Sequence, residues 1–170
     1  MNNVMLDLET MATGSHAAIV AIGAVEFDKD GLGREFYQTI DLDSSAAFGD
    51  ISAKTVMWWM KQSDVARAEI FNANCTLYGA LIEFSKWLHE GTKVWGNGVD
   101  FDNVILTNAY DDFGVQLPWS YKDSRCYRTV VAMHPRLNIK RLGVHHNALD
   151  DAIYQANHLI AIGVFRNDNI

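Results

Sequence analysis

Three short stretches of the chain carry acidic residues and a histidine at spacings that hydrolytic chemistry can use. The first is Asp7-Leu8-Glu9-Thr10, at the end of a run that reads as a strand. Residues i and i+2 of a strand point to the same face, so Asp7 and Glu9 project side by side. Two carboxylates that close repel unless a cation lies between them, and hard oxygen donors suit Mg²⁺ or Mn²⁺. An Asp-x-Glu pair is also common on solvated strands. Here the flank Asn3-Val4-Met5-Leu6 reads as a central strand, which would put the two acids at a buried mouth.

The second stretch is Trp95-Gly96-Asn97-Gly98-Val99-Asp100-Phe101-Asp102, a strand running into a glycine-bearing loop and then a helix. Asp100 and Asp102 both lie near the helix start, where an acid also serves as a cap or a dipole partner. The third is His145-His146-Asn147-Ala148-Leu149-Asp150-Asp151-Ala152. On one continuous helix His146 and Asp151 would stand about 140° apart. They serve one site if His146 lies on the loop before the helix and Asp151 on its first turns. The plainer reading is a capping segment followed by two exposed acids. Taken together, the three stretches hold the parts of a two-metal phosphodiesterase. Two cations about 3.5–4 Å apart would clamp a phosphate, four carboxylates would offset their charge, and a histidine would take a proton from water.

The elements that position these residues follow from periodicity. Residues 3–8 and 18–27 read as strands, and alternation resumes over 35–40 after the turn Asp28-Lys29-Asp30-Gly31, which makes an antiparallel hairpin. Ser52 caps a helix through Val56-Met57-Trp58-Trp59-Met60, a second helical piece follows Ser63-Asp64, and Asn74 or Thr76 opens a long amphipathic helix with Leu77, Leu81, Phe84 and Leu88 on one face. A strand over 92–95, a helix over 101–113, a helix over 125–133 and a last helix from 148 to about 164 complete the pattern. Strands followed by alternating helices and short strands make an α/β layer arrangement with a mixed sheet.

The chain has 170 residues and 19.1 kDa, which predicts one domain over 1–170. Hydrophobic residues are 49% and charged residues 21%, so disordered and collagen-like classes are excluded. Two cysteines cannot build a disulfide framework, the longest apolar runs are about half a membrane span, and Met1-Asn2-Asn3 lacks a basic leader. A cytoplasmic protein with no membrane association is expected. Net charge is −7, which argues against a broad surface for coating nucleic acid. Residues 122–141, however, hold six basic residues (Lys122, Arg125, Arg128, Arg136, Lys140, Arg141) and one acid, a local +5 that leaves −12 on the remaining 150. Such a strip on an acidic body suits an enzyme that grips a short polyanion, and it equally describes a solvated helix face.

With these residues in hand, Asp7-x-Glu9-Thr10, the middle Phe101-Asp102 and the late His146-x-Ala148-x-x-Asp151-Ala152 resemble the three motifs of the DEDDh 3′–5′ exonucleases. That family includes the proofreading subunit of bacterial DNA polymerase III, RNase T and oligoribonuclease. Trp58-Trp59 and Trp95-Gly96-Asn97-Gly98 are most similar to its RNase AS-like and related phage and bacterial branch. The resemblance implies an RNase H-like fold, with a central mixed five-stranded sheet flanked by helices. It implies release of 5′-monophosphates from 3′ ends. By that resemblance Asp7, Glu9, Asp102 and Asp151 would hold two Mg²⁺ or Mn²⁺ ions and His146 would be the general base. Asp100, His145 and Asp150 compete for the same roles, and Asp150 is a departure, an acid where the motif does not require one.

Thr10 and Met11 would lie under the terminal nucleotide. Trp58 or Trp59 would stack on a base or else pack in the core. Arg125, with Arg128, would contact phosphate or else form a surface ion pair. The expected substrates are single-stranded or frayed 3′ ends of DNA or RNA, and a homodimer is open because relatives are often dimers. Three rivals stand beside this reading: a non-catalytic binding module on the same fold, a short-oligonucleotide hydrolase, and a dehalogenase-like phosphatase. The last of these wants Asp-x-Asp where this chain has Glu9.

Overall fold

A computed structural model describes residues 1–73 and 75–164. Its elements in chain order are β1 (Asn3–Thr10), β2 (Ile19–Asp28), β3 (Gly31–Thr39), α1 (Leu42–Ala46), α2 (Ala53–Trp59), α3 (Asp64–Phe71), α4 (Leu77–Trp87), β4 (Lys93–Gly96), α5 (Asp102–Asp112), β5 (Ser124–Cys126), α6 (Tyr127–Ala132) and α7 (Ala148–Ala161). The strands form one sheet in the order β3-β2-β1-β4-β5. β1 pairs antiparallel with β2 and parallel with β4, β2 pairs antiparallel with β3, and β4 parallel with β5. This is the expected mixed five-stranded sheet.

The period-2 alternation of β1 decides what it points at. Val4, Leu6 and Leu8 face the larger core cluster, with Leu81 and Phe84 of α4 and Ile105 and Leu106 of α5. Met5 faces the opposite side, where Phe27 and Trp95 pack with Ala152, Ala156 and Leu159 of α7. Asp7 and Glu9 continue the Met5 row, so the acids emerge under α7 where its apolar stripe ends. Both faces of the sheet are covered, which explains why β1 and β2 are buried along nearly their whole length.

α7 approaches the sheet closely at Gly23 of β2. A Cβ there would stand 2.1 Å from the carbonyl carbon of Ala148, so only glycine lets the helix start at this point. The β2–β3 hairpin closes through Lys29-Asp30, with Asp28 accepting from the Asp30 amide at 2.8 Å. β3 begins at Gly31, four residues before its alternation becomes visible, because ladder pairing with β2 runs through Leu32 as well.

One further expectation needs correction, and one element was unexpected. Residues 125–133 are not one helix. Ser124–Cys126 pair with Val94–Gly96 as the edge strand β5, and the helix begins only at Tyr127. α1 was not foreseen; it is five residues long and is capped by Asp41, which accepts from the Ser44 amide. Thr76 caps α4, while Asn74 lies outside the described residues. No described helix is long and apolar enough to cross a membrane.

Candidate active site

Asp7, Glu9 and Asp102 are each less than a tenth exposed. Burial of three acids in one place is costly unless something binds them. Asp102 does not cap its own helix. Its Oδ1 accepts from the Leu8 amide at 3.1 Å and its Oδ2 from the Asn97 amide at 2.8 Å. The start of α5 is thereby tied to the backbone between Asp7 and Glu9. Gly96 permits this, since a Cβ there would lie 2.3 Å from Oδ1 of Asn103 and 3.1 Å from Cβ of Asp102. From the other side, Glu9, His146 and Asp151 each present one ligand atom, all within 4.8 Å of one another.

The competing residues stand elsewhere. Asp100 is exposed and pairs with Arg128 at 3.2 Å. His145 is exposed, and Asp150 accepts from the Val144 amide at 2.7 Å, bracing the loop that precedes α7.

His146 sits on that loop in the left-handed region, φ 63°, the one such non-glycine among the described residues. That conformation costs about 1–2 kcal/mol and needs surroundings that enforce it. The next residue, Asn147, supplies them. Its Oδ1 accepts from the Leu149 and Asp150 amides as the cap of α7, and its Nδ2 donates to Tyr37 Oη at 3.0 Å. Tyr37 donates in turn to Glu69 at 3.0 Å, so β3, α3 and α7 clamp the residue after His146. The ring of Trp58 meets that of His146 edge-on, 4.6 Å between centroids.

Burial, with the charge of Asp102 added, pushes Glu9 up to about 8, and burial takes Asp102 to about 7 against the pull of its two amide donors. Burial likewise raises Asp7, reinforced by Asp102 and Glu9 and opposed by a hydrogen bond from Gln155. Arg141 pairs with Asp151, lies 5.0 Å over the Tyr154 ring and partly relieves Asp7 and Glu9. Burial, His145 and Arg141 together lower His146, which favours the neutral ring that can accept a proton.

Beside Glu9 opens a cavity of about 270 Å³, walled by Trp58 and Phe101 and edged by Thr10, Thr13 and Lys54. Of the residues expected to meet a nucleotide, Thr10 and Trp58 line it. Trp59 does not: it is buried and donates from Nε1 to the Thr10 carbonyl at 2.9 Å, fixing the wall from behind. Met11 is buried with Trp59 in a small separate cluster that includes Ala18, Val20 and Ala66. Arg125 donates to the carbonyls of Lys122 and Ser124, on the edge strand.

The pattern of the family described as "3'-5' exoribonuclease Rv2179c-like domain" matches residues 2–163. The chain belongs to this Rv2179c-like exoribonuclease family. The exodeoxyribonuclease of Enterobacteria phage T4 is 23% identical over 129 residues, which are 66% of this chain and 57% of the phage protein. Among solved structures, E. coli exonuclease I in complex with a dT13 oligonucleotide aligns with 94% of this chain and 40% of its own, at TM-score 0.70 and 13% identity. The nuclease domain of 3'hExo, a DEDDh family member bound to rAMP, aligns with 97% of this chain and 92% of its own, at TM-score 0.62 and 15% identity. The chain thus spans less than two-thirds of the phage enzyme and of exonuclease I. The likeness to these structures is one of fold, the RNase H-like fold of DEDDh exonucleases.

Within the Rv2179c-like fold, sequence reasoning passed over Tyr37, Lys54 and Gln155 and counted Arg141 only as one charge of a strip. Gln155 carried a usable signal, being four residues after Asp151 and therefore on the same helix face. Tyr37 carried none, because its partners Glu69 and Asn147 are distant in the chain, and neither did Lys54, whose neighbours Glu9 and Thr10 at the cavity are far from it in sequence.

Proposed function

We propose that the protein is a metal-dependent 3′–5′ exonuclease acting on single-stranded or frayed 3′ ends of DNA or RNA and releasing 5′-monophosphates. The convergence of Asp7, Glu9, Asp102, His146 and Asp151 from three elements and a loop, with Glu9 at the wall of an aromatic-lined cavity, carries this reading. The donor set fits a divalent metal. It consists of hard carboxylate oxygens, of which those of Asp7, Glu9 and Asp102 are buried together and destabilised in their charged forms until a cation compensates them. Asp7, Glu9, Asp102 and Asp151 would hold two Mg²⁺ or Mn²⁺ ions, which when bound polarise the scissile phosphate and lower the pKa of water.

The chain's own residues supply the rest. His146, kept neutral, takes the proton of the attacking water. Trp58 and Phe101 hold the terminal base by stacking, which tolerates any sequence. Thr10 and Thr13 offer hydroxyls to the sugar, and Lys54 offers a charge.

The test uses 5′-labelled single-stranded DNA and RNA with Mg²⁺, Mn²⁺ or EDTA, and Asp7→Ala and His146→Ala as controls. A ladder shortening from the 3′ end is expected with metal and not with EDTA. His146→Ala should cost about 10²–10⁴-fold in kcat. Uncut substrates with either metal would overturn the proposal. The small cavity and net charge of −7 also favour short substrates, a second reading that a length series of oligonucleotides separates by its dependence of kcat/KM on length.

A further inference from the structure

Gln155 lies one turn beyond Asp151 on α7 and is 5% exposed. Its amide nitrogen donates to Oδ1 of Asp7 at 2.8 Å, joining α7 to β1 across the sheet face. Among the described residues no other group donates a hydrogen bond to that carboxylate. The other half of the amide, Oε1, is buried without a partner. Its neighbours on the same helix face, Ala152, Ala156 and Leu159, are apolar and fully buried. A residue kept only for packing here would be apolar too, because an unpaired buried carbonyl is expensive.

The amide therefore stands at this position for what its nitrogen does. We propose that Gln155 is a positioning residue for the metal site: it fixes the Asp7 carboxylate through Oδ1 and leaves Oδ2 for a divalent cation. The proposal rests on the metal reading above. A neutral donor suits the task. Arginine or lysine in its place would fix the carboxylate by discharging it and would compete with the cation, whereas an amide orients it and leaves its charge intact. Outer partners of ligating carboxylates act in this way, and losing one costs about 10–100-fold in metal affinity.

Gln155→Met keeps the length and removes the donor, and Gln155→Leu repeats the change with a different shape, so a folding defect in one leaves the other to decide. For each, the melting temperature is followed against Mn²⁺ concentration without substrate, and kcat and KM are followed against Mn²⁺ concentration with a 5′-labelled oligonucleotide. In EDTA both variants shed an orphaned carbonyl and leave the buried Asp7 carboxylate without its donor, opposing effects of similar size, so the metal-free melting temperature serves only as the baseline. Their half-saturating Mn²⁺ should rise about 10–100-fold. At saturating Mn²⁺ kcat should recover toward wild type, with KM for the oligonucleotide unchanged. A purely structural amide would leave the half-saturating Mn²⁺ where it was, whatever it did to the melting temperature, which overturns the proposal. A wild-type protein that does not respond to Mn²⁺ at all overturns the metal reading and the role of Gln155 with it.

Discussion

The acids at the mouth of β1 define a pH dependence before any substrate is present. Glu9 rises from 4.5 to about 8 and Asp102 from 3.8 to about 7, both chiefly because burial removes water from the charged form. Between the ordinary and the raised values the folded protein holds protons that the unfolded chain has released. Stability without metal therefore falls as pH climbs through that window. Glu26 and His146 work the other way: Glu26, lowered by Arg34, contributes a constant amount above its ordinary 4.5, while His146, lowered by burial, takes back part of the gain only below its ordinary 6.5. In EDTA the protein should melt higher at pH 5.5 than at pH 8.5, by at least about 2–4 °C, which is what 1 kcal/mol makes in a chain of this size. Mn²⁺ should remove the difference at pH 8.5. A melting temperature flat between these pH values in EDTA would contradict the clustering of the buried acids. At this scale much was legible. Asp102, His146 and Asp151 stand at the acid cluster while Asp100, His145 and Asp150 engage other partners or solvent, a separation between neighbours of like type that the sequence left open. The i+4 spacing puts Gln155 on the face of Asp151, but that it meets Asp7, and that Arg141 meets Asp151, was not legible, since contacts between distant elements leave no periodic trace.

α7 and its leading loop determine whether the cluster exists at all. The helix sits on β2 through Gly23, and its cap Asn147 is clamped by Tyr37. Gly23→Ala should push the start of α7 off the sheet, because the nearest backbone atoms lie 2.1–2.4 Å from the new Cβ and cannot yield individually. His146 and Asp151 would move with it. The expected result is a loss of kcat of about 10²-fold, the scale on which a 1 Å misplacement is felt, with far-ultraviolet circular dichroism retained. Full activity in this variant would show that the helix start tolerates displacement. The β2–β3 hairpin and the helices α4 and α7 were readable because a turn signal or an amphipathic stripe declares them. β5 was not. It is three residues long, its burial is only partial, and it sits in a basic stretch whose local pattern runs on into the helix α6. What makes Ser124–Cys126 a strand is the free edge of β4, a tertiary cause.

Over the whole molecule, the fold divides what looked like one cationic strip. Arg125 is committed to backbone carbonyls, Arg128 to Asp100 and Arg141 to Asp151, while Lys122, Arg136 and Lys140 remain exposed. Lys54 is the cation at the cavity itself. With a net charge of −7 and so few uncommitted cations, binding should neutralise only one or two phosphates. For single strands each neutralised phosphate contributes about −0.7 to the slope of log affinity against log salt. The dependence of log kcat/KM on log KCl, for a 5′-labelled decamer at fixed Mg²⁺, should therefore have a slope of about −0.7 to −1.4. A slope of that size would mean that affinity comes from the terminal nucleotide, stacked between Trp58 and Phe101, and from the carboxylate-bound cations. A slope several times steeper would require an extended phosphate track. The exposed Arg136 and Lys140 on the loop before α7 would then be the first residues to replace, because that loop also delivers His146 and a strand bound along it would pass directly over the acids.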